Sequence, residues 1–143
     1  MKKYFNCKVA FDKTDENGMS KKVTENYIVD ALSFTEAETR IVNEVQPYAT
    51  GEFEITSVNR CNISDIIRDE DGSWYRCKLN YIVIDEERGI EKLAPSVLFV
   101  QGPDFNGAYG KCKEYINDST SDIEIESITL SKVLEIFEYD GGN

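Results

Sequence analysis

The sequence predicts an α+β protein made of two copies of one strand-strand-helix-strand unit, joined as an antiparallel-sheet pseudo-dimer, and three observations carry that prediction. The opening segment Tyr4-Phe5-Asn6-Cys7-Lys8-Val9 returns in the second half as Trp74-Tyr75-Arg76-Cys77-Lys78-Leu79. An apolar stripe at helical spacing, Phe34, Ala37, Ile41 and Val45, returns as Phe105, Ala108, Cys112 and Ile116, at almost the same offset. A later alternating run, Phe53, Ile55 and Val58, returns as Ile123, Ile125 and Ile128. Chance does not keep strand and helix phases together along both halves, so a tandem duplication is expected, with repeats over residues 1–71 and 72–143.

The elements follow in order. Phe5, Cys7, Val9 and Phe11 alternate toward one side of a first strand, as do Tyr75, Cys77, Leu79 and Tyr81. Each strand runs into a polar turn closed by glycine, Asp15-Glu16-Asn17-Gly18 and Glu86-Glu87-Arg88-Gly89, because a tight hairpin needs positive φ. Second strands are expected around residues 22–31 and 92–101. Pro95 lacks a ladder donor and marks an edge or a bulge there. Ser33 or Thr35 caps the first helix, while Pro103 and Asp104 open the second. Pro47 stops the first helix, and a third strand follows Gly51. Ile63, Ile66 and Ile67, matched by Val133, Ile136 and Phe137, have the spacing of a short helical turn that closes the core. Pairing the two copies about a pseudo-twofold axis gives one continuous antiparallel sheet as the favoured arrangement.

Composition bounds the function. The 143 residues are 41% hydrophobic and 30% charged, the balance of a globular protein long enough to bury a sizeable core. No apolar run approaches the ~18 residues of a membrane span, and Lys8 and Asp12 interrupt the segment where a signal peptide would be apolar. A cytoplasmic location without membrane contact is expected. With 27 acidic against 16 basic side chains the formal charge is −11, a field that repels duplex nucleic acid.

The chain has no histidine, which removes Ser-His-Asp and Cys-His nucleophile systems and mixed zinc sites. Cys7, Cys61, Cys77 and Cys112 are widely separated and read as reduced packing residues. Gly102, Gly107 and Gly110 fit no phosphate-loop spacing. The acidic runs Asp69-Glu70-Asp71 and Asp85-Glu86-Glu87 lack the alternation of a calcium loop and read as solvated turns. No catalytic residue, metal or cofactor is expected, and the chain is read as a non-enzyme.

One constellation suggests a ligand. On the strand face opposite the core stripe, Tyr4 and Lys8 correspond to Trp74 and Lys78, with Arg76 between the latter two. An exposed sheet face carrying aromatics and cations can stack a base and pair with a phosphate. The same face fits better a surface half-covered by an oligomer partner, or one whose lysines keep an open sheet soluble.

The segment Val23-Thr24-Glu25-Asn26-Tyr27-Ile28-Val29-Asp30-Ala31-Leu32-Ser33-Phe34-Thr35-Glu36-Ala37-Glu38, with Gly51-Glu52-Phe53-Glu54 and Trp74-Tyr75, resembles a family of short proteins, a domain of unknown function, from gut anaerobic bacteria and their phages. The resemblance implies a bacterial cytoplasm or a phage-encoded origin and brings no catalytic residue with it. In fold alone, the passage 29–37 is similar to small strand-strand-helix-strand domains, including ribosome-associated ones.

Three functional readings remain at this level. The first is a non-enzymatic binding or adaptor protein that meets a protein partner, or a second copy of itself, through a sheet edge or acidic face. The second is a small-ligand or nucleotide binder, such as a phage-encoded sequesterer of signalling nucleotides, using Tyr4, Lys8, Trp74, Arg76 and Lys78. The third is an acidic mimic of DNA.

Overall fold

Alternating burial builds the first element of the computed structural model, which describes residues 3–49 and 51–139. In β1 (Lys3–Thr14) Phe5, Cys7 and Val9 are buried on one face. Gly18, at φ 79°, donates to the Asp15 carbonyl and turns the chain into β2 (Ser20–Ala31). The hairpin keeps unbroken register from Lys3 opposite Ala31 to Thr14 opposite Ser20. Ser33, not Thr35, caps α1 (Phe34–Val45): its Oγ accepts the Glu36 N–H at 3.1 Å, while Glu36 Oε1 accepts the Leu32 N–H at 3.2 Å. Pro47 then replaces the helix with a 3₁₀ turn, Gln46–Tyr48. β3 (Phe53–Cys61) returns antiparallel along β1, with a bulge where the pairing passes Lys8 and Val9.

After the short β4 (Asp65–Ile67), the same order recurs as β5 (Ser73–Asp85), β6 (Ile90–Gly102), α2 (Phe105–Asn117) and β7 (Ile123–Leu130). Gly89 has φ 64° in the hairpin, and Asp104 caps α2 through the Gly107 N–H at 2.7 Å. The β5–β7 bulge falls between Lys78 and Leu79, the positions that match Lys8 and Val9 in the sequence. Pro95 pairs with Asn80 on one side, and β4 reaches only Leu98–Val100 on the other. Its missing N–H thus sits at an open stretch of β6, as the edge expectation requires.

The closing segments depart from expectation. Residues 65–67 and 133–137 are strands, not helical turns, and each joins the sheet of the other half. β8 (Val133–Phe137) adds parallel to β2, and β4 adds parallel to β6. Ile66 and Ile67 in one run and Val133 and Ile136 in the other are β-branched, and an i, i+3 pair of apolar residues also fits a short two-sided strand. The result is two four-stranded sheets, β3-β1-β2-β8 and β4-β6-β5-β7, in place of one continuous antiparallel sheet. Compact unit 1 takes the chain up to Cys61 and again from Lys132, and unit 2 is Asn62–Ser131, so the units do not follow the 1–71 and 72–143 division.

Each exchanged strand is fastened by the same device. In unit 1, Arg40 on α1 donates to the Asp30 carbonyl at 2.5 Å, and Asp30 Oδ1 accepts the Tyr139 N–H at 2.8 Å just past β8. In unit 2, Lys111 on α2 donates to the Gln101 carbonyl at 2.8 Å, and Gln101 Oε1 accepts the Asp69 N–H at 3.1 Å just past β4. Lys111 also pairs with the Asp69 carboxylate and holds it below the usual carboxylate range.

Each helix packs its stripe on its own sheet. Ala37, Ile41 and Val45 meet Phe5, Cys7, Val9, Val29 and Ala31 in unit 1. Ala108 and Cys112 meet Tyr75, Cys77, Leu79, Leu98 and Val100 in unit 2. All four cysteines are free, and burial, with Cys61 and Glu38 nearby, pushes the Cys7 thiol up to about 12. Among the described residues no helix is long and apolar enough to cross a membrane.

Candidate functional site

The strands of unit 1 are longer than the helix that covers them. At about 3.3 Å per residue the 12-residue strands β1 and β2 span roughly 40 Å. At 1.5 Å per residue the 12-residue α1 spans about 18 Å. Because Pro47 stops α1, the core-facing stripe runs on beyond the helix C-terminus with no helix above it.

A cavity of about 290 Å³ occupies that place. Phe11 of β1 and Tyr27 of β2 continue the core stripe as its floor, and the 3₁₀ turn and the residue that caps it contribute Tyr48 and Ala49. The exchanged strand β8 supplies Phe137, which stacks on Tyr27 with ring centroids 5.8 Å apart. Two carboxylates enter this apolar lining: Glu25, two residues before Tyr27 on β2, and Glu44 on the last turn of α1. The Tyr27 hydroxyl donates to Glu25 Oε2 at 2.6 Å, and the Tyr139 hydroxyl donates to Glu44 Oε1. Burial first, and then these bonds to carboxylates, push both phenols well above the ordinary tyrosine value, so both remain donors at neutral pH. Arg40 lies over the Tyr139 ring, 4.6 Å from its centroid, and pairs with Glu36 at 3.0 Å.

The site residues read from the sequence do not form an open face. Trp74 is 1% exposed, with the Arg68 guanidinium 5.6 Å from its ring, and offers no stacking surface. Tyr4 is half-buried and donates to Glu138 at 3.2 Å. Lys78 faces Glu126 at 3.6 Å, and only Lys8 and Arg76 are exposed. Ile28, opposite Asn6 on the same strand face, is fully buried, and Phe99 opposite Arg76 is buried too. Alternation places these side chains on one face of each strand but carries no information on what covers that face.

Sequence reasoning missed Glu25 and Glu44. The available signal was a glutamate on the inward phase of β2, between Val23 and Tyr27, where the alternation calls for an apolar residue. At the offset that relates Phe34 to Phe105, the counterparts of these two glutamates are Ser96 and Tyr115. Burial and hydrogen bonding with Tyr81 push the Tyr115 phenol up to about 12, so a large aromatic stands in unit 2 where unit 1 has the carboxylate of Glu44. Among the described residues no group of three His, Cys, Asp or Glu is placed to hold a metal ion.

A family model described as Domain of unknown function (DUF4494) matches residues 3–139. No curated protein and no solved structure matches the chain.

Proposed function

The chain belongs to the DUF4494 family, a domain of unknown function, and we propose that it is a non-enzymatic binding protein whose working site is the aromatic cavity of unit 1. The observation that supports this is the cavity itself. About 290 Å³ lined by Phe11, Tyr27, Tyr48 and Phe137, with two polar groups placed among them, is the mixture of apolar wall and few fixed polar atoms that small-ligand sites have. Of the readings the sequence left open, this favours the small-ligand binder. Its nucleotide form loses support, since Glu25 and Glu44 would face a phosphate and Trp74 is enclosed.

The test is a thermal-shift screen of ring-sized fragments against the wild type and Ala49→Trp, which fills the cavity from the residue that follows the 3₁₀ turn. A ligand at 100 times its Kd adds about 2.7 kcal/mol to the stability of the wild type. The filled variant should fold and gain nothing. Equal shifts in both proteins would place binding elsewhere.

A protein partner is the second reading, and the β5–β6 hairpin favours it. Ile84 and Leu93 are exposed on one face of this arm and Val83 and Ile90 on the other, exposed apolar residues of the kind found at contact surfaces. Replacing Ile84 and Leu93 by Thr should then abolish partner binding while leaving the melting temperature near its wild-type value.

A further inference from the structure

We infer that the cavity of unit 1 selects an organic ammonium carried on a small apolar body, a deepening that rests on the binding-protein reading above. Four independent features of the site favour positive charge.

The first is the pair of carboxylates. Tyr27 engages Oε2 of Glu25 and Tyr139 engages Oε1 of Glu44, which leaves one oxygen of each without a protein partner among the described residues. Both side chains are half-buried, and neither has a cationic partner among the described residues. A partly desolvated carboxylate without a counter-charge is a standing cost that a bound cation relieves.

The second is the end of α1. Val45, at the C-terminal end of the helix, lines the cavity, and the last turn carries no basic residue. The negative end of the helix dipole is therefore available to a cation. The third is the aromatic lining of Tyr27, Tyr48, Phe11 and Phe137, since aromatic rings attract ammonium groups through their quadrupoles. Arg40 over Tyr139 is the same interaction made internally. The fourth is the overall charge of −11, which draws cations toward the protein and repels anions.

Size limits the ligand. About 290 Å³ is at the lower end of small-molecule sites, enough for one ring or a short branched chain with its ammonium between Glu25 and Glu44. That ammonium can belong to a free amine or to a lysine side chain of a peptide, and the chemistry of recognition is shared.

The experiment is calorimetric titration of the full chain with three soluble probes of one shape: phenethylammonium, 2-phenylethanol and phenylacetate. The ammonium should bind about tenfold more tightly than the alcohol, and phenylacetate should not bind, the differential expected of charge-assisted and cation–π contacts. Glu25→Gln and Glu44→Gln keep the shape and the acceptor for each tyrosine. Each should reduce ammonium affinity severalfold and leave the alcohol unchanged. Equal affinity for ammonium and alcohol would overturn the charge selectivity and leave the binding site standing. Failure of all three probes would remove both. A short lysine-containing peptide in a fourth arm distinguishes the sources: binding as tight as phenethylammonium points to a peptide-borne group, and no binding points to a free amine.

Discussion

Asp30, fully buried at the end of β2, accepts the backbone N–H of Tyr139 at 2.8 Å, across 109 residues of sequence. One carboxylate thereby ties the far end of the described chain to the first sheet, while Arg40 Nη1 approaches the same oxygen at 3.3 Å. Gln101 and Asp69 repeat the bond in unit 2 at 3.1 Å. The exchanged strands are short, three and five residues, too short to hold their places by ladder bonds alone. The side-chain bond just beyond each strand supplies the missing anchor.

Asp30→Ala should therefore loosen β8 more than any other element. It removes the acceptor of the Tyr139 N–H and one charged partner of Arg40, a change that costs about 3 kcal/mol. Hydrogen exchange read peptide by peptide should show protection lost first over residues 133–139. Gln101→Ala removes only neutral bonds and should cost about 1 kcal/mol, with the loss confined to residues 65–69.

Among the described residues Gly72 is the least replaceable glycine. It has φ 120°, and a Cβ there would stand 2.1 Å from the Gly102 carbonyl oxygen. Gly72→Ala should cost more than about 3 kcal/mol, because backbone must move against backbone. Gly18→Ala, at φ 79° in open space, should cost only about 1 kcal/mol. Chemical denaturation of the two variants side by side measures the contrast.

The legible parts of the fold were those encoded locally. Gly18 and Gly89 mark hairpins because their positive φ is a residue-level requirement. Ser33 and Asp104 mark helix starts because each cap bond spans three residues. The exchange of β4 and β8 was not legible, since an apolar run says that a strand is buried and not which sheet receives it. The cavity was hidden for a related reason. It arises from strands outrunning a helix and from Phe137 arriving out of the other half, neither of which is written in a local pattern. Trp74 misled because strand alternation distinguishes two faces without saying which is covered.

High pH should destabilise the protein. The Cys7 thiol is pushed from 9.0 to about 12 by burial, so the folded state holds its proton more firmly than the unfolded chain. Stability from this group is complete below pH about 9 and is lost as pH rises from there toward about 12. Urea titrations at successive pH values should show a downward slope in that window. Cys7→Ala, less stable overall because a cavity replaces the sulfur, should show a shallower one.

The most direct measurement of the central claim is a two-dimensional NMR titration of the uniformly labelled chain with phenethylammonium. The account predicts saturable shifts concentrated at Phe11, Glu25, Tyr27, Glu44, Tyr48 and Phe137, with unit 2 unmoved. Shifts centred on Lys8, Arg76 or the β5–β6 hairpin, or none at millimolar ligand, would contradict it.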